Sequence, residues 1–167
     1  MDSLLKKLQR DYPKLTFSPA KEFCWSPKTG EVLYSNENMQ SRTSSWSLLH
    51  EVGHALLKHH TYHSDLELLQ LEASAWKKAK EIGQSYGYEI DEQHIEDCLD
   101  TYRDWLHQRS ACPRCNSRSF QQNSQQYSCH NCGTSWTVSL SRFCRPYRRV
   151  KKTKTPPSDK APKATFV

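Results

Sequence analysis

Three residues in one short stretch can do chemistry together: His50, Glu51 and His54, in the run His50-Glu51-Val52-Gly53-His54. On a helix, positions four apart share a face, so both imidazoles can bind one zinc ion. Glu51 then stands beside the metal, placed to take a proton from a water that the metal activates. The flanks suit a buried helix, because Trp46, Leu48, Leu49, Val52, Ala55, Leu56 and Leu57 are apolar, with Ser44 or Ser45 as its cap. An ordinary helix carrying two histidines would not need the glutamate in register with them. A catalytic zinc takes three protein ligands, so the rest of the chain must supply one more.

The preferred third ligand is Glu72. Ser64-Asp65-Leu66-Glu67 has the form of a capping box, which predicts a second helix running to about Tyr86 and ending near Gly83 or Gly87. Leu66, Leu69, Ala73, Trp76 and Ala79 fall on one face of it, and Glu72 falls within that stripe. A carboxylate on a buried face is costly unless it is paired or bound to a metal. Two histidines compete. His60 stands where H-E-x-x-H-x-x-G-x-x-H would put a third histidine, but Leu57 replaces the glycine at which that pattern turns. His63 could ligate from the link His59-His60-Thr61-Tyr62-His63, although no known motif has that spacing.

A second metal site is read from cysteine spacing. Cys112-Pro113-Arg114-Cys115 and Cys129-His130-Asn131-Cys132 flank a stretch rich in Ser, Gln and Asn, the pattern of a zinc ribbon. Four thiolates leave no open position, so this zinc is structural, with Tyr127 and Trp136 packed around the two knuckles. A redox dithiol would need only one such pair. Cys24, Cys98 and Cys144 remain as free thiols. Paired C-x-x-C motifs favour zinc in a reducing compartment over disulfides, and the expected location is cytoplasmic. No apolar run is long enough to span a membrane, and the first fifteen residues lack the apolar core of a signal peptide.

The elements that must position these residues follow in chain order. Residues 1–14 predict a short amphipathic helix, with Leu4, Leu5 and Leu8 on one side and Pro13 as its stop. Phe23-Cys24-Trp25 and Glu31-Val32-Leu33-Tyr34 flank Ser26-Pro27-Lys28-Thr29-Gly30 and predict a hairpin, one strand of which could pair with an extended peptide. Ser35 to Ser45 reads as a loop. A helix over about Asp91–Gln108 carries Ile95, Cys98, Leu99, Tyr102, Trp105 and Leu106 at helical spacing and is expected to pack on the first two. His94 and His107 are taken as surface residues. Of the net charge of +6, an excess of +7 lies from Arg145 onward, leaving −1 for the remainder. With few apolar residues and several prolines, that tail is expected to be disordered, and it is a candidate contact for an anionic partner. The expected architecture is α+β: a zincin-like domain over 1–109, with a hairpin and three helices, a ribbon over 110–144, and a basic tail over 145–167.

With His50, Glu51, His54 and Glu72 placed, the chain resembles the ImmA/IrrE-like metallopeptidases, a gluzincin-type family. Leu71-Glu72-Ala73-Ser74-Ala75-Trp76 matches the Glu-Ala core of that family's second motif, and Val32-Leu33-Tyr34 falls where the family has a strand before the active-site helix. The resemblance covers about residues 15–85. It implies an intracellular zinc endopeptidase that cleaves a regulatory protein, often a DNA-binding repressor. The ribbon departs from that family. A ribbon after a zinc peptidase is similar to the SprT/Spartan group, which acts on DNA-bound proteins, but the His-Gly setting of that group's third ligand has no match here.

The expected mechanism uses Glu51 as the acid and base, one catalytic zinc on His50, His54 and Glu72, and an oxyanion donor drawn from His59, His60, Tyr62 or His63. The alternative from another class is a non-enzymatic adaptor, whose ribbon and basic tail contact nucleic acid or a protein. The intact set of His50, Glu51, His54 and Glu72 favours the enzyme.

Overall fold

The computed structural model describes residues 3–36, 41–139 and 146–151. The chain divides into two compact units, 1–108 and 109–167. Among the described residues it is a mixed α+β protein with four helices and two small sheets. No helix among them is long and apolar enough to cross a membrane.

In the first unit, α1 (Leu4–Asp11) starts at Ser3, whose side chain accepts from the Lys6 N–H, and it buries Leu4 and Leu8. The predicted hairpin is present: β2 (Cys24–Ser26) pairs antiparallel with β3 (Glu31–Ser35), and Gly30 takes the positive φ that the turn requires. A further strand, β1 (Thr16–Ala20), pairs parallel to β3 on its other side. The sheet order is therefore β1-β3-β2. β3 is central rather than an edge, and Pro19 is tolerated because β1 is an edge.

The zinc-motif helix, α2 (Arg42–Leu56), begins earlier than its predicted serine caps, which lie inside it. Ser41 is the cap, its Oγ accepting from the Ser44 N–H at 3.0 Å. The next helix, α3 (Asp65–Ser85), is capped as expected by Ser64, whose Oγ accepts from the Glu67 N–H at 3.1 Å. Glu67 reaches back to the His63 N–H at 2.7 Å, which completes the box one residue early. Its buried face differs from the predicted stripe. Leu68, Glu72, Ala75, Trp76, Ala79, Ile82 and Gly83 are inside, whereas Leu66 is 66% exposed and Ala73 is exposed. Glu72 belongs to the buried face on either phase.

α2 and α3 approach closely at one point. A Cβ on Gly53 would stand 2.6 Å from the Ala75 carbonyl oxygen, so only glycine fits at position 53. This contact brings the Glu72 turn against the turn that holds His50 and His54. The core beneath them joins Leu4, Leu8, Val32, Trp46, Leu48, Leu49, Val52, Trp76, Ala79, Ile82 and the α4 residues Ile95 and Leu99. α4 (Glu92–Ser110) agrees with its prediction, except at His94. That ring lies between Trp46 and Trp76, with centroids 4.8 and 5.6 Å away, and is not a plain surface group.

In the second unit, β4 (Phe120–Asn123), β5 (Gln126–Ser128), β6 (Ser135–Val138) and β7 (Arg148–Val150) form an antiparallel sheet in that order. β7 corrects the boundary read from sequence: residues 148–150, assigned to the tail, are the fourth strand. Arg149 stays exposed, while the half-buried Arg148 donates its guanidinium to the Ala111 carbonyl at 2.8 Å and Val150 lies opposite Trp136. Cys144 and the tail from Lys152 onward lie outside the described residues.

Candidate metal centres

The three side chains read as ligands meet at one point. His50 Nε2 and Glu72 Oε2 are 3.2 Å apart, His54 Nε2 and His50 Nε2 3.0 Å, and His54 Nε2 and Glu72 Oε2 3.5 Å. Each of the three residues is more than nine-tenths buried. Tetrahedral zinc with bonds of about 2.0–2.1 Å holds its ligand atoms roughly 3.3 Å apart, so this spacing suits an ion at the centre. His60 and His63, the competing ligands, are exposed and are not part of the cluster.

The hydrogen bonds behind His54 determine which of its nitrogens faces that centre. Ser74 Oγ–H donates to the Leu71 carbonyl at 2.9 Å, so its oxygen can only accept from His59 Nε2, 3.3 Å away. With its proton on Nε2, neutral His59 accepts at Nδ1, where His54 Nδ1 lies 2.9 Å away. The His54 proton is thereby on Nδ1, and the lone pair of Nε2 is presented to the cluster. Burial and the neighbouring His54 both push the His59 pKa down, which keeps that ring neutral. His50 has no such support: its Nδ1 is buried with no hydrogen-bond partner among the described residues, and the Trp76 ring packs on its face at 4.2 Å.

Burial alone would raise the Glu72 pKa. Hydrogen bonds and charge from His50 and His54 overcome it and hold the carboxyl well below the usual range. Glu72 is therefore a buried anion that needs positive charge beside it, supplied by protonated imidazoles or, where these are neutral, by a cation held between the three.

Glu51 is half-buried on the same helix, next to His50. Its Oε2 accepts the backbone N–H of Trp25 at 2.6 Å, and the Trp25 indole donates to the His59 carbonyl at 2.7 Å. β2 is thus joined through Trp25 both to α2 and to the link that follows it. Sequence reasoning missed Trp25, Ser74 and the supporting role of His59, which it counted among oxyanion donors. Both His59 ring nitrogens are engaged behind His54, away from the cluster. Tyr62 packs with Leu68, Trp105 and Leu106.

Among the described residues, the four predicted cysteines form a second group that could hold a metal ion. Cys112 and Cys132 sulfurs are 3.6 Å apart, and Cys115 and Cys129 sulfurs 3.5 Å. Tetrahedral zinc–thiolate bonds of about 2.3 Å put sulfurs roughly 3.8 Å apart, so the set is nearly in place. Two matching turns form it: Asn116 N–H returns to the Cys112 carbonyl and Gly133 N–H to the Cys129 carbonyl, each at 2.9 Å. Hydrogen bonds with Ser117 and Asn131 lower the Cys115 thiol to about 5, while burial raises Cys112 to about 11. Tyr127 and Trp136 stack beneath the cluster at 5.5 Å, as the sequence predicts.

Comparisons with protein-family models, with curated proteins and with solved structures find no match to this chain.

Proposed function

We propose that the chain is a zinc-dependent endopeptidase of the gluzincin type, hydrolysing peptide bonds of a protein substrate. One observation carries this reading: two imidazole nitrogens and a buried carboxylate oxygen converge within 3.0–3.5 Å, with Glu51 next to His50 on the same helix. Three protein ligands leave a tetrahedral ion one open position, which is the arrangement of a catalytic site. A zinc ion held there lowers the pKa of water and polarises a carbonyl.

The chain's own residues do the rest. Trp25 N–H fixes one oxygen of Glu51, leaving Oε1 to accept a proton from the attacking water and return it to the leaving nitrogen. His59 and Ser74 keep the His54 proton on Nδ1. β2, an outer strand next to Glu51, is the edge along which an extended substrate would lie. The four cysteines are read as holding a second, structural zinc.

Zinc per chain, measured by elemental analysis, tests this. Two zincs in the wild type, about one in Glu72→Ala, and two in a Glu51→Gln variant without hydrolytic activity are expected. Two zincs in Glu72→Ala would move the third ligand elsewhere. One in the wild type would leave only the cysteine site filled and bring the adaptor reading forward.

A further inference from the structure

The peptidase reading leaves one face of the second unit's sheet unexplained. Register divides the sheet into two faces. Tyr127 and Trp136 lie opposite each other and are buried, with Val138 two residues further on. The other face carries two cross-strand rows, Phe120–Ser128–Ser135 and Gln126–Thr137–Arg149. Alternation adds Lys151 to it, and the Lys151 ammonium donates to Gln126 Oε1 at 2.9 Å. Alternation also places Tyr147 there, held to Ser139 by paired backbone and side-chain hydrogen bonds.

The chemistry of this face is specific. Phe120 is 74% exposed and Tyr147 69% exposed, one on each outer edge, offset by roughly 15 Å across the strands and about 13 Å along them, so about 20 Å apart. His130 lies edge-on to Phe120 at 5.6 Å. Between the two rings are hydroxyls and an amide, with Arg149 and Lys151 along β7. Among this unit's described residues no carboxylate opposes them, because the chain has no Asp or Glu between Asp104 and Asp159. From Arg109 to the end there are 12 Lys and Arg against one Asp.

An apolar partner would leave these cations and hydroxyls unmatched. An acidic peptide would meet the cations but offer the rings no flat surface. A duplex has the phosphates but hides the faces of its bases. An unpaired strand supplies both phosphates and stackable bases. We propose that this sheet face binds single-stranded nucleic acid, with Phe120 and Tyr147 stacking on bases and Arg149 and Lys151 meeting phosphates. The proposal does not depend on the peptidase reading.

Fluorescence anisotropy tests it, with the full-length, metal-loaded chain and a labelled oligothymidylate of about 16 nucleotides at several salt concentrations. Phe120→Ala is expected to weaken binding about fivefold or more, since each base–aromatic stack contributes on that order. Arg149→Ala should flatten the log–log salt slope by about 0.7. Both residues are exposed, so metal content and circular dichroism should match the wild type. The proposal is overturned if a duplex of the same length binds as tightly as the single strand and Phe120→Ala changes nothing, which is plain attraction between opposite charges. Absence of binding at about 0.1 M salt overturns it as well.

Discussion

Replacing His59 with phenylalanine isolates the contribution of the hydrogen-bond chain behind His54. The ring remains, but the acceptor for His54 Nδ1–H is lost, while Ser74 keeps its bond to the Leu71 carbonyl. One donor is then left without a partner, at a cost of about 1–3 kcal/mol for a buried group. His59 is only partly buried and water can reach part of this space, so the lower half of that range applies. The cost falls on the metal-binding form, because without His59 the His54 proton is free to move to Nε2 and block the ligand. Loss of such supporting partners typically weakens metal binding about 10–100-fold, and about tenfold is the expectation here. Competition with a chromophoric zinc chelator measures it, the cysteine site serving as the internal reference in the same molecule. His59→Gln, whose amide can accept and donate, should recover most of the loss. Zinc affinity within about twofold of wild type in His59→Phe would refute the argument that this chain sets the His54 tautomer.

Three other expectations follow from separate parts of the structure. Gly53→Ala should lower stability to urea by about 1–3 kcal/mol, because the added methyl meets backbone at Ala75 and outweighs alanine's better helix propensity of about 1 kcal/mol. Tyr86, whose hydroxyl donates to Asp11 at 2.9 Å, has its pKa raised to about 12 by burial and by that bond, from an ordinary value of 10.0. Its stabilisation is complete below pH 10 and is lost as pH rises towards 12, so Tyr86→Phe should flatten the alkaline fall in urea midpoint across that window. Cys129→Ser should remove the second metal and loosen the Tyr127–Trp136 stack beneath it, seen as lost near-ultraviolet circular dichroism, while leaving the first site's zinc in place.

What could be read from sequence was set by whether a relation is local. His50, Glu51 and His54 sit within one turn, so helical geometry alone brings them together. Glu72 was legible for another reason, as a carboxylate among apolar neighbours on a helix with a clear cap. The phase of that helix was not, because Leu66, Leu69 and Ala73 offer a second apolar strip beside Leu68, Ala75 and Ile82. The close approach of Gly53 to Ala75 decides between them, and it is a tertiary contact. β1 was missed because its partner, β3, is parallel and separated from it by the hairpin's first strand. β7 was hidden by its own charges, which read as tail. The partner of Glu51 comes from a strand distant in sequence and is a backbone amide that no residue type announces, while that of His54, His59, lies just past the helix, outside helical spacing.

That amide has a consequence for how the chain tolerates change. The contact of Trp25 with Glu51 is made by the main chain, so every amino acid except proline would supply it. The indole contact to the His59 carbonyl, by contrast, needs a side chain with a donor of the right reach. Position 25 therefore carries two separable duties, one almost indifferent to residue identity and one strict. A comparison of related chains that scored only residue identity at this position would register the second duty and pass over the first.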